Sequence, residues 1–182
     1  MTPTDWSADG RYVAYSRTQG GAGFPDLFAL PLFGARTPLT LTDTAATETG
    51  AVFSPDGRWF AYQLADTASA TQIFVQAFPP TGGRFQVSTN GGSQPIWSRD
   101  GKTLFFLSAD GKIMAAAVET AGEFHNDTPQ PLFPLVTRGA TATVGHQYAV
   151  ARDGRFLVNL IQQPSPPVPL TVVTNWLAAV QK

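Results

Sequence analysis

Phe53-Ser54-Pro55-Asp56-Gly57-Arg58-Trp59-Phe60-Ala61-Tyr62 reads as a strand end, a tight turn and a second strand. Ser54 and Asp56 carry short side chains that can bond back to their own backbone, Pro55 presets φ for the turn, and Gly57 can take the positive φ that closes it. Trp59, Phe60, Ala61 and Tyr62 then place β-favouring aromatics on both faces of the pleat. A strand apolar on both faces must be covered on both sides. The unit therefore needs neighbours.

The chain supplies them as copies. Trp6-Ser7-Ala8-Asp9-Gly10-Arg11 precedes Tyr12-Val13-Ala14-Tyr15, and Trp97-Ser98-Arg99-Asp100-Gly101-Lys102 precedes Thr103-Leu104-Phe105-Phe106. In Val150-Ala151-Arg152-Asp153-Gly154-Arg155, ahead of Phe156-Leu157-Val158, an alanine replaces the serine. The Asp-Gly turns at 9, 56, 100 and 153 are separated by 47, 44 and 53 residues, close to the period of four-stranded propeller blades.

The expected fold is all-β: a partial β-propeller of about four consecutive four-stranded antiparallel blades, the last incomplete. Their bounds are about 2–43, 48–89, 93–136 and 145–176. With strands named a to d outward, blade one reads as a ending at Trp6, b Arg11 to Arg17, c Asp26 to Leu32 and d Thr37 to Leu41, with a flexible tip at Gly20 to Gly23. Blade two reads as Ala51 to Phe53, Arg58 to Leu64, Gln72 to Phe78 and Arg84 to Ser88. Blade three reads as Pro95 to Trp97, Lys102 to Leu107, Lys112 to Val118 and a weak d from Pro131 to Leu135, with a tight Ala109-Asp110-Gly111 hairpin and an excursion from Glu119 to Thr128. Blade four reads as Gln147 to Val150, Arg155 to Ile161 and, beyond the proline-rich linker 163–167, Leu170 to Thr174. No clear outer strand follows, and Asn175 to Gln181 reads as a short helical tail or a brief d strand. The expectation is an open arc with an apolar blade face at each end, prone to self-association.

Composition narrows the function. A chain of 182 residues with 43% hydrophobic and 14% charged residues can bury a core and is not a disordered tail. Twelve basic against thirteen acidic residues, with no run of either sign, disfavour nucleic acid or an anionic membrane as partner. There is no cysteine for a disulfide or thiolate metal site, and no apolar run long enough to insert into a bilayer. Met1-Thr2-Pro3-Thr4 leads almost directly into the first repeat, which points to a fragment start with any targeting segment upstream.

The repeated aromatic-Ser-x-Asp-Gly-Arg/Lys pattern, followed by a β run, resembles the TolB-type β-propeller repeat across nearly the whole chain. Gln72-Ile73-Phe74-Val75-Gln76-Ala77-Phe78-Pro79, the Trp97 to Lys102 turn and Leu170-Thr171-Val172-Val173-Thr174-Asn175-Trp176 look like the C-terminal propeller of bacterial serine/threonine protein kinases. That resemblance implies a sensory or interaction module on the extracytoplasmic, periplasmic side of the inner membrane, without the kinase catalytic domain. Its unidentified partner would be a protein, a peptide or a small molecule. Two rivals are an accessory, substrate-gating propeller of a prolyl-oligopeptidase-like serine hydrolase and a TolB-like envelope scaffold.

No catalytic constellation, cofactor cradle or metal motif is expected. The recurring turn residues Ser7, Asp9, Gly10, Ser54, Asp56, Gly57, Ser98, Asp100, Gly101, Asp153 and Gly154 read as architecture, because recurrence is what a structural turn predicts. The two histidines, His125 and His146, lack a nucleophile-base-acid context, and Gly91-Gly92-Ser93-Gln94-Pro95 is not a nucleophile elbow. Counting back three and four places from the last residue of strand a gives Pro3 and Thr2, Gly50 and Thr49, Gln94 and Ser93, and Gln147 and His146, with Glu48 beside them. These are expected to cluster at a channel mouth. Glu48, Ser93, Gln94, His146 and Gln147 are its candidate ligand-binding residues.

Overall fold

The structure, a computed structural model, describes residues 1–18, 23–66, 70–135 and 145–159. Every regular element among these residues is a strand. The first sheet joins β1 (Thr2–Trp6), β2 (Tyr12–Thr18), β3 (Pro25–Pro31) and β4 (Leu39–Thr40) in sequence order, each antiparallel to the next. The second repeats the plan with β5 (Thr47–Phe53), β6 (Trp59–Ala65), β7 (Gln72–Ala77) and β8 (Arg84–Gln86). In the third, β9 (Ser93–Trp97), β10 (Thr103–Leu107) and β11 (Lys112–Glu119) are flanked by an outer edge broken into β12 (His125–Asn126) and β13 (Gln130–Pro134), both paired with β11. β14 (Tyr148–Val150) and β15 (Phe156–Val158) begin the fourth. The molecule is a partial β-propeller.

Three apolar layers lie between the four sheets, as strands apolar on both faces require. Phe53, Phe60, Tyr62 and Leu64 meet Ala14, Leu27 and Ala29 between blades one and two. Across the next gap, Trp59, Ile73 and Val75 meet Trp97, Leu104 and Phe106. The third layer joins Leu107, Ile113 and Leu135 to Tyr148 and Phe156. Burying each such aliphatic or aromatic side chain is worth about 1.5–3 kcal/mol, so the gaps between blades carry the core. The last residue of strand a faces the preceding blade: Phe53 is 6% exposed and Trp97 8%, whereas Trp6, with no described blade ahead of it, is 62% exposed.

The turns form as their residues dictate. Ser7 Oγ donates to Asp9 Oδ1 at 2.6 Å and accepts the Tyr12 N–H at 2.9 Å, while Asp9 Oδ1 accepts the Arg11 N–H at 3.0 Å. The same bonds recur around Ser54 and Asp56 and around Ser98 and Asp100. Gly10, Gly57, Gly101 and Gly154 take positive φ of 68° to 82°. The Ser98 hydroxyl above all, with the Lys102 amide, holds the Asp100 carboxyl below the ordinary carboxylate range, and Asp9 is lowered the same way by Ser7 and the Arg11 amide. Partial burial works against the Asp56 carboxylate, but the bonds from Ser54 and Arg58 outweigh it and its pKa is also lowered. In the fourth copy Asp153 keeps its bond to the Arg155 N–H, at 3.2 Å, without a hydroxyl at position 151. A related turn, one residue tighter, stands at the expected hairpin: Ser108 Oγ donates to Asp110 and accepts the Lys112 N–H at 3.0 Å.

Several expectations need correction. Strand a of the second blade starts at Thr47 rather than Ala51, because backbone pairing with β6 continues through polar residues that carry no apolar pattern. The outer strand of blade one is two residues, not five. The excursion after Glu119 is docked: Phe124 is buried against Trp59 and Phe85, at ring centroid distances of 5.4 and 5.3 Å, and Trp59 Nε1 donates to the Thr120 carbonyl at 3.2 Å. His125 lies within it as an exposed residue of β12. Strand b of blade four spans Phe156–Val158 among the described residues. The linker, the last strand and the tail of the fourth blade, and most of the Gly20 to Gly23 tip, fall outside the described residues.

Candidate functional site

The inner strands share a defect. In β1, β5 and β9 the pairing with the second strand slips by one residue, at Thr4, at Gly50-Ala51 and at Gln94-Pro95. Such β-bulges re-aim side chains at the rims of sheets. Gly50 and Gln94 occupy equivalent places, and both are left-handed, with φ of 65° and 56°. Gly50 adopts this conformation without steric cost, while Gln94 is held there against its Cβ.

What holds Gln94 is a set of bonds between blades. Its N–H donates to Gln63 Oε1 at 3.0 Å, its Oε1 accepts the Gln147 N–H at 2.7 Å, and its carbonyl accepts Tyr148 Oη–H at 2.8 Å. Gln63 Nε2 in turn donates to Thr49 Oγ1 at 2.7 Å. Because backbone N–H groups can only donate, the oxygen ends of both glutamines are fixed by chemistry. His146 bonds the Pro95 carbonyl at 3.1 Å, which requires the proton on Nε2. Burial raises the pKa of Tyr148, so its phenol stays a donor. At the other side, Asp5 Oδ2 accepts the Phe53 N–H at 2.7 Å. Burial pushes the Asp5 carboxyl upward, opposed by the Phe53 and Trp6 amides and by His146.

These residues rim a cavity of about 380 Å³, lined by the N-terminal residues Met1 to Thr4, by Ser16, Arg17, Thr18 and Pro25, and by Thr49, Gly50, Gln63, Gln94, Gly145 and His146. Of the eight residues picked by their place in the repeat, Thr2, Pro3, Thr49, Gly50, Gln94 and His146 line it. Ser93 is buried with its hydroxyl unpartnered among the described residues, and Gln147 contributes its backbone N–H to Gln94. Glu48 is not at the mouth. It is fully buried in the layer between blades one and two, where Thr44 Oγ1 donates to Oε1 at 2.8 Å. Burial raises its pKa above the usual carboxylate value, against the pull of the Thr42 and Thr44 hydroxyls.

Position in strand a missed Gln63, Arg17, Ser16 and Thr18, which reach the cavity from strands b. Gln63 had one available signal, a lone amide inside the apolar run Trp59-Phe60-Ala61-Tyr62-Gln63-Leu64. Among the described residues no group of three or more histidine, aspartate or glutamate side chains is placed to hold a metal ion. The turn carboxylates are instead each engaged within their own turns.

No protein-family model matches the sequence, and no curated protein sequence matches it. Solved structures do resemble it. TolB from Acinetobacter baumannii superposes with a TM-score of 0.57 at 18% identity, over 85% of this chain and 41% of that one. A puromycin-hydrolyzing peptidase from Mycobacterium tuberculosis gives 0.62 at 22% identity, over 84% and 27%. The β-propeller domain of the Trilobed protease from Pyrococcus furiosus, described as having an open velcro topology, gives 0.53 at 20% identity, over 72% and 42%. At such identities the likeness is one of fold: the chain has a TolB-like propeller architecture and spans less than half the length of each of these proteins.

Proposed function

We propose that this chain is a non-catalytic interaction or ligand-sensing module whose contact site is the cavity at the mouth of the inner strands. The observation that carries this reading is the convergence of six repeat-equivalent polar or small residues on one cavity of about 380 Å³. The glutamine network supports it by holding the rim in one geometry before any ligand arrives, which lowers the ordering cost of binding. His146, the one imidazole among the described residues lining the cavity, is bonded to a backbone carbonyl rather than to a hydroxyl it could activate.

The sequence of Gln72 to Pro79 and of Leu170 to Trp176 supports a finer proposal: the module is the C-terminal part of a bacterial receptor-like serine/threonine kinase, on the periplasmic side of the membrane. Reading the gene upstream of Met1 tests this part, since the absence of kinase motifs there excludes it. The site is tested by titrating isotope-labelled protein with short peptides and with monosaccharides while following the side-chain amides of Gln63 and Gln94 by NMR. Shifts confined to the outer strands, with these amides unmoved, would remove the cavity from the proposal.

A further inference from the structure

The bonds between the blades spend the oxygen acceptors of Gln63, Gln94 and Pro95 and leave donors on Thr49 and Gln94. Gln63 Oε1 is taken by the Gln94 N–H, Gln94 Oε1 by the Gln147 N–H, and the Gln94 and Pro95 carbonyls by Tyr148 and His146. Thr49 Oγ1 accepts from Gln63, so its own hydrogen is unspent, and both Nε2 hydrogens of Gln94 are uncommitted among the described residues. Arg17 adds a full positive charge that makes no ion pair among these residues. Its guanidinium lies 4.5 Å from the centroid of the Phe28 ring, which steadies it without neutralising it. Its cross-strand neighbour Asp26 is buried and forms no ion pair with it. Among the described residues no carboxylate lines the cavity. Asp5 is bonded to the Phe53 N–H, and Glu48 is in the core.

From the unpaired Arg17 charge and these donors on one cavity we propose that it binds a small ligand through a carboxylate, with Arg17 as its counter-ion and Thr49 Oγ–H and Gln94 Nε2 as donors to the ligand's oxygens. An arginine fork suits a carboxylate in two-point contact, and the Thr49 and Gln94 donors can serve its remaining oxygen lone pairs. The proposal rests on the cavity being the contact site. Its ligand could be the free C-terminus of a peptide or a sugar acid, which share this chemistry.

The test is calorimetric titration of the full chain with N-acetyl-Ala-Ala as free acid and as amide, and with glucuronate against glucose. NMR of the Gln63 and Gln94 side chains runs in parallel to report the place of binding. At least one acid is expected to bind about tenfold or more tighter than its neutral counterpart, and to weaken as salt is raised. Which acid binds identifies the source. Arg17→Gln is expected to erase the preference and Arg17→Lys to keep part of it. Thr18→Glu, which places a competing carboxylate on the cavity rim and leaves Arg17 in place, should abolish acid binding even if Arg17→Gln folds poorly. Equal binding of acid and neutral forms at the cavity, or a preference that survives Arg17→Gln, overturns the carboxylate proposal and leaves the contact site standing. No perturbation of the cavity by any of the four compounds overturns the site itself.

Discussion

Replacing Gln94 separates the two roles the structure gives it, a bonded clamp between blades and a strained backbone. Gln94→Ala removes the 2.7 Å bond to the Gln147 N–H and keeps φ at 56°, so the loss is one part-buried hydrogen bond, about 1 kcal/mol. Gln94→Gly loses the same bond and adds unfolded-state entropy of about 0.4–1 kcal/mol, but it releases left-handed strain of about 1–2 kcal/mol. Glycine is therefore expected to be the more stable variant by about 0.5–1 kcal/mol, the reverse of the usual order in strands. For a chain of this size that is a melting difference of about 1–4 °C, measurable by calorimetry or by urea midpoints at equal slope. Gly50→Ala, at the equivalent bulge, is expected to destabilise by about 1 kcal/mol or more, because its φ of 65° disfavours any Cβ. If Gln94→Ala proves as stable as Gln94→Gly, or if Gly50→Ala is neutral, the bulges are not strained in the way argued here.

Ser54→Ala should cost about 2 kcal/mol, because it strips the buried Trp59 N–H of its acceptor, whereas Ala151→Ser should add about 0.5–1 kcal/mol by restoring the hydroxyl the fourth turn lacks; urea midpoints check both. Phe124→Ala is expected to cost about 3–5 kcal/mol and to release the excursion from Trp59, read as a shift in tryptophan fluorescence; a loss below about 1 kcal/mol would mean the excursion is not docked. The Glu48 carboxyl has a raised pKa in the fold, so its favourable contribution is complete below the unfolded value of 4.5 and fades as pH rises through the folded value. Glu48→Gln should thus gain on the wild type in melting temperature between pH 4.5 and pH 7.5, and a constant difference across that range would refute the burial argument. Trp6 at one end and Leu157, 77% exposed on the far face of blade four, should make the chain associate with increasing concentration. Light scattering checks this, with Trp6→Lys and Leu157→Lys expected to suppress the effect and a monodisperse wild type counting against it.

Much of the fold was legible because its devices are local and repeated. Ser-x-Asp-Gly closes its turn with bonds made inside six residues, so three full copies and one without the serine mark where strands a and b meet. Repetition also fixes phase, which is why counting back from the aromatic reached most of the cavity's inner rim. The excursion's partners were beyond that reasoning, since Phe124 finds Trp59 only once two blades stand side by side.

The sequence by itself determined the period, the turns and the need of each blade for a neighbour, since these follow from bonding and apolarity within a few residues. Only the tertiary structure decided which polar residue meets water and which is enclosed. Glu48 and Thr49 are adjacent and alternate across one strand, yet one is sealed between blades and the other opens on the cavity. Alternation assigns them to opposite faces, but what covers each face is set by a different stretch of chain. The same holds for Trp6 and Trp97, alike in sequence and opposite in exposure, because a blade precedes one and no described blade precedes the other.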